Sequence, residues 1–132
     1  MTDELSEIRE RKREALVNGE SETGGTTAEQ PVHVESEPHF RELTEVGGIV
    51  LVDFYADWCG PCKMLEPVLE TVAAQTDAVV AKVNIDQHQP LAQRHGVRGV
   101  PTLQLYVDGE PVKRLVGMQD EATLTNLVER FA

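Results

Sequence analysis

Cys59 and Cys62 are the only cysteines in the 132-residue chain, three apart in the stretch Trp58-Cys59-Gly60-Pro61-Cys62-Lys63, which also holds the only tryptophan. A pair at this spacing has three possible chemistries: metal ligation, a permanent cross-link, or reversible thiol-disulfide exchange. Zinc takes four ligands and one Cys-x-x-Cys supplies two. His33, His39, His88 and His95 offer no second pair at ligand spacing, so no metal is expected and the histidines are read as surface residues. A permanent bridge belongs to oxidising compartments. The chain begins MTDELSEIRERKREALV, charged where a secretion signal carries an apolar stretch. No apolar run reaches the length of about 18 residues that a membrane span requires. These features point to a cytosolic protein whose two cysteines exchange rather than staple.

Exchange divides the two thiols by position. A helix beginning at the cysteines places both sulfurs on one face, within reach of disulfide geometry. Cys59 falls at the helix N-terminus, where unpaired N-H groups and the helix dipole favour thiolate over thiol, so it is the expected nucleophile. Cys62 lies a turn further in, against the protein, and is the expected resolving thiol. Pro61 suits a first helical turn, because its missing N-H would have had no partner there. Gly60 leaves room for a substrate backbone.

Asp53 lies inside the apolar run Ile49-Val50-Leu51-Val52-Asp53-Phe54-Tyr55-Ala56, where burial of a carboxylate costs several kcal/mol unless it is paired, hydrogen-bonded or protonated. It is either a structural aspartate at a strand edge or a buried proton acceptor for Cys62. Desolvation would bring its pKa toward the neutral range that a base near pH 7 requires. Lys82, expected on the adjacent strand, would be its partial counter-charge.

The elements that must hold these residues follow from periodicity. The run 49–56 reads as a strand buried on both faces, and 78–86, AVVAKVNID, as a second. Val32-His33-Val34 is a short strand, followed by a helix over about 38–46 that Gly47-Gly48 ends. Met64, Leu65, Val68, Leu69, Val72 and Ala73 recur at helical spacing, so a helix runs from the cysteines to Gln75 with Pro67 as a kink. A short helix spans 89–96. The segments TLQLYV and PVKRLV flank Asp108-Gly109 as a hairpin. Leu124, Leu127, Val128 and Phe131 mark one face of a closing helix. Strand, helix, strand, helix, strand argues a parallel core with right-handed crossovers, extended by the antiparallel hairpin and covered by helices on both faces. Sites in such sheets lie at the carboxyl ends of strands, where the cysteine motif falls.

The first 30 residues differ from the rest. Residues 3–17 read as a charged helix, and 19–30, rich in Gly, Thr and Glu, as a flexible linker spanning roughly 20 Å. The expected organisation is therefore an appendage over 1–30 and one domain over 31–132.

Taken together, VDFYADWCGPCKMLEPVLE, AKVNID, GVRGVPTLQLYVDGEPV and the later Val-Gly resemble the thioredoxin family, in order and spacing, over residues 31–132. The family is itself the standard example of the lowered cysteine pKa invoked above. The resemblance implies the thioredoxin fold, a central mixed sheet with helices on both faces, here carrying an N-terminal helical extension. It implies protein-disulfide reduction through Cys59 and Cys62, with Asp53 as proton acceptor tuned by Lys82. It makes Pro101 a cis-proline facing the cysteines, the Val100 backbone a strand-like contact for an extended substrate, and Trp58, Gly60, Pro61, Gly99 and Gly117 the docking surface. No cofactor is implied. The implied partners are a thioredoxin reductase and disulfide-containing client proteins, with the protein itself a monomer. Departures are Tyr55 where a second tryptophan is usual, Glu66 where a small residue is common, and the first 30 residues. An alternative of another class is a binding or chaperone module on the same fold, tethered by the N-terminal helix.

Charge bears on partners. With 23 acidic against 12 basic residues the net charge is -11, a balance that repels nucleic acids and anionic membranes, and neither is an expected partner. Arg9, Arg11, Lys12 and Arg13 alternate with Glu7, Glu10 and Glu14, which reads as pairing within a helix rather than a phosphate-binding patch. The acidity is either a solubilising surface or an adaptation to concentrated salt.

Overall fold

The computed structural model describes residues 29–132; the expected helix over 3–17 and all but the last two residues of the expected linker lie outside them. Five strands, β1 (Val32–His33), β2 (Ile49–Tyr55), β3 (Val79–Asn84), β4 (Thr102–Val107) and β5 (Glu110–Val116), form one sheet in the order β1-β3-β2-β4-β5. The first three are mutually parallel, while β4 runs antiparallel to β2 and β5 to β4. This is the mixed sheet expected of the thioredoxin fold. The β4-β5 turn places Asp108 at φ 53° and Gly109 at φ 89°, the two positive values that a tight two-residue hairpin requires.

Among the described residues four helices cover the sheet: α1 (Glu37–Glu45), α2 (Gly60–Gln75), α3 (Gln89–Arg94) and α4 (Glu121–Phe131). Those of α1 and α4 start at side chains that accept from otherwise orphaned backbone donors. Ser36 Oγ takes the His39 N-H at 3.2 Å, and Asp120 Oδ1 takes that of Thr123 at 2.8 Å. Helix α2 continues through Pro67 to Gln75.

Strand alternation sorts the core into two layers. On one face Ile49, Leu51, Val80, Leu103 and Leu105 pack against Leu65, Leu69 and Val72 of α2 and Leu124, Leu127 and Val128 of α4. On the other, Val50, Val52, Phe54 and Val83 pack against Phe40 and Leu43 of α1 and Leu91 of α3. Asp53 follows Ile49 and Leu51 in the alternation, so its carboxylate belongs to the α2 face, behind the cysteines.

The reading of all four histidines as surface residues is corrected in part. His33 is exposed, but His95 is half-buried, with its ring centroid 5.0 Å from that of Phe40 and 5.8 Å from that of Phe54. Burial, with help from Arg114 and Arg94, lowers its pKa. Because α3 ends at Arg94, His95 stands just past the helix and turns back over the core.

Candidate active site

The site is assembled where β2 ends and α2 begins. Strand β2 delivers Tyr55 and Ala56, two residues turn the chain, and Cys59 stands as the N-cap of α2 in extended backbone. Its sulfur accepts the Cys62 N-H at 3.1 Å, so a donor of the helix N-terminus points at Cys59 Sγ. The two cysteines are joined as a disulfide, with Cα atoms 5.2 Å apart. The pair packs with Ala56, against Tyr55, Ile85 and Val100.

The sequence separates Cys59 from Cys62 by accessibility, and the bridged structure narrows that difference: the two residues are 4% and 2% exposed. What distinguishes them is place. Cys59 is the cap that receives the N-H; Cys62 is inside the first turn.

Around the disulfide the surface is low and partly apolar. Trp58 is 67% exposed, and its indole Nε1 donates to Asp86 Oδ2 at 2.9 Å, which fixes the ring beside the cysteines. Asp86 is itself set by Asn84, whose side-chain oxygen accepts the N-H groups of Asp86 and Gln87 at 2.9 and 3.2 Å. The Val100-Pro101 peptide bond is cis, and Val100 packs on the cysteine pair. Pro101 O accepts the Gly117 N-H at 2.8 Å, tying the end of β5 to this loop, and Gly117 has φ 95°, a left-handed value that favours glycine. A Cβ on Gly60 or Gly99 would meet nothing within 4 Å, so both stand beside open space. Trp58, Gly60, Pro61, Gly99, Val100, Pro101 and Gly117 thus lie on the loops and helix start around the cysteines.

Behind the pair, Asp53 is fully buried, and among the described residues neither of its oxygens has a hydrogen-bond partner. Lys82 faces it in register across β2 and β3, with Nζ 4.0 Å from Asp53 Oδ2. Burial raises the Asp53 pKa from 3.8 to about 7; Lys82 opposes the rise and Glu66 adds to it. Tyr55, standing where a second tryptophan is usual, places its ring centroid 4.5 Å from Lys82 Nζ and its hydroxyl 3.4 Å from His33 Nδ1. The residue thus fills the space behind the motif and adds a cation-π contact to the lysine.

Three sets of contacts in the site have no counterpart in the sequence reading. Glu66 Oε2 lies 3.6 Å from Lys82 Nζ. Asn84 and Asp86 position Trp58. Arg114 donates to Gln104 Oε1 at 3.2 and 2.7 Å and to the carbonyls of His95 and Gly96, bracing the segment that leads to Val100. The polar side chains of such networks carry no periodic signal.

A redox-active cysteine pair at the head of a helix, just past the carboxyl end of a buried strand in a mixed sheet, defines a thiol-disulfide oxidoreductase of protein substrates. The thioredoxin family model matches residues 30–130. Thioredoxin of Chlamydia caviae is 46% identical over 102 residues, which cover 76% of this chain and 99% of that protein. The structure of a mutant thioredoxin from Halobacterium salinarum NRC-1 is 52% identical, with TM-score 0.77 over 80% of this chain and 93% of that one. A Malassezia sympodialis thioredoxin structure is 30% identical, with TM-score 0.69 over 77% of this chain and 90% of that one. The chain belongs to the thioredoxin family. That membership does not favour the tethered binding module.

Proposed function

We propose that the protein reduces disulfides in client proteins, with Cys59 as nucleophile and Cys62 as resolving thiol. In the dithiol form the Cys59 thiolate attacks one sulfur of a substrate disulfide. A Cys59-substrate bond forms, the substrate S-S bond breaks, and the leaving sulfur departs with the electron pair. Asp53, as its carboxylate, takes the Cys62 proton directly or through water. The Cys62 thiolate then attacks Cys59 Sγ and expels the second substrate thiolate, so the protein is oxidised by two electrons and the substrate reduced by two. The observation that carries this reading is the Cys62 N-H aimed at Cys59 Sγ, a donor that favours negative charge on the sulfur that must attack.

Val100, beside the cis-Pro101 bond, offers backbone to an extended substrate segment, while Trp58, Gly60, Pro61, Gly99 and Gly117 form the surface on which it lies. Lys82 tunes Asp53. A thioredoxin reductase resets the disulfide, and the cytosol, where reductant is supplied, is the compartment in which the monomer works. Residues 1–30 form an appendage to the domain that begins at 31. Incubation of Cys62→Ser with a disulfide-bonded protein should accumulate a covalent mixed disulfide, and Cys59→Ser should accumulate none. The reverse pattern overturns the assignment of roles.

A further inference from the structure

Lys82 serves two carboxylates. Its Nζ is 4.0 Å from the buried Asp53 Oδ2 and 3.6 Å from Glu66 Oε2, so the nearer anion is the one on α2. Asp53 is sealed in the interior, whereas Glu66 is 49% exposed. Glu66 and Lys82 both line an open cleft of about 630 Å³, together with Glu70 and His33. The lysine therefore stands between a dry carboxylate and a wet one.

We propose that Glu66 is a positioning residue for the exchange reaction: by holding the Lys82 ammonium at the cleft, it limits how far that ammonium closes onto Asp53, and so keeps the buried carboxyl able to accept and release a proton. The inference rests on the proposed role of Asp53 as proton acceptor. Its physics is a competition. An ammonium in full contact with Asp53 would hold it as a carboxylate well into acid, leaving a weak base that takes a proton poorly from Cys62. A second anion beside the lysine weakens that pull twice, by drawing the ammonium outward and by its own repulsion of charge on Asp53. The direction of Glu66's effect on Asp53 agrees, since it raises the pKa that Lys82 lowers.

The groups facing this pair come from four elements and from the segment before β1, which brings Glu29 to the cleft. Lys82 is on β3, Glu66 and Glu70 on α2, Tyr55 on β2, and His33 on β1, where it pairs in register with Lys82. The rest of the α2 face is apolar, through Leu51, Leu65, Leu69 and Leu103.

The test reads Asp53 directly. The ionisation of its carboxyl is followed by carbon-13 NMR against pH in the full chain, for wild type, Glu66→Gln and Glu66→Asp. The same three proteins are assayed for pH-dependent reduction of insulin disulfides. Removal of the Glu66 charge lowers the Asp53 midpoint by roughly half a unit to one unit, solvent screening at a half-exposed site trimming the effect. Glu66→Asp retains most of the wild-type midpoint, and the lower limb of the rate profile moves with the NMR midpoint. An Asp53 midpoint that stays put or rises in Glu66→Gln overturns the inference, whatever happens to the rates. A midpoint that falls while the rate profile stands still leaves Glu66 in control of the Asp53 charge, but overturns the catalytic meaning of that control by removing the acceptor role.

Discussion

Replacing Asp53 with Asn isolates the energetic consequence of placing a carboxyl in the core. The native group is buried with no hydrogen-bond partner among the described residues, and its pKa stands at about 7 against 3.8 for the free group. A raised carboxyl pKa means that the folded state holds the proton more tightly than the unfolded state, so stability is greatest in acid and falls as pH rises from near 4 to near 7. Each pKa unit is worth about 1.4 kcal/mol, which puts the full penalty at roughly 4 kcal/mol above pH 7, with about 2 kcal/mol of it present at pH 5. Asn has nearly the same shape and no charge. Its stabilising effect should therefore grow from little at about pH 3–4 to about 4 kcal/mol at pH 8, on top of any constant offset from the amide's own hydrogen bonds. Denaturant unfolding of the fully oxidised proteins, at fixed salt and in steps of pH, measures the difference. A stability gain from Asp53→Asn that is the same at pH 4 and pH 8 would show that the carboxyl is not desolvated in the folded state, and the argument for a base near neutrality would go with it.

Loss of the guanidinium in Arg114→Met leaves the buried Gln104 Oε1 without its two donors and frees the His95 and Gly96 carbonyls, and should destabilise the fold by about 1–3 kcal/mol in denaturant titration; a change under half of that would assign the network to solvent instead. Because Trp58 is held beside the disulfide by Asp86, its fluorescence should change on reduction, and the change should shrink in Asp86→Ala, where the indole loses its anchor; identical spectra with and without reductant would contradict that proximity. If the net charge of -11 reflects adaptation to concentrated salt, screening of repulsion should raise the unfolding midpoint from dilute buffer to molar potassium chloride, and a flat or falling trend would reject that reading.

Much of the architecture could be read from sequence because local and global signals agree. The β-branched and aromatic run at 49–56 reads as an interior strand, and Asp108-Gly109 between two apolar segments as a tight turn. The helix at Cys59 announced itself through Pro61 in the first turn and the apolar spacing that follows. Asp53 was visible as a charge in an apolar strand, and parallel pairing put Lys82 opposite it. Less legible were contacts fixed by the rotation of one element over another. Glu66 reaches Lys82 only because α2 lies over β3 with that side turned to the cleft, and nothing in its helical neighbours marks it. The sequence reads His95 as a surface residue within a short helix over 89–96, yet that helix ends at Arg94 and the chain folds His95 against Phe40 and Phe54. The cis bond at Pro101 came from family resemblance, since no residue type adjacent to a proline dictates the isomer.

The most direct test is the pH dependence of alkylation of the reduced protein, with the modified cysteine located by mass spectrometry. A thiol at the helix cap, receiving the Cys62 N-H, should be modified at Cys59 with a midpoint clearly below the value of about 8.5 for a free thiol, while Cys62 stays unreactive until higher pH. Equal labelling of both cysteines, or a Cys59 midpoint at the free-thiol value, would contradict the account.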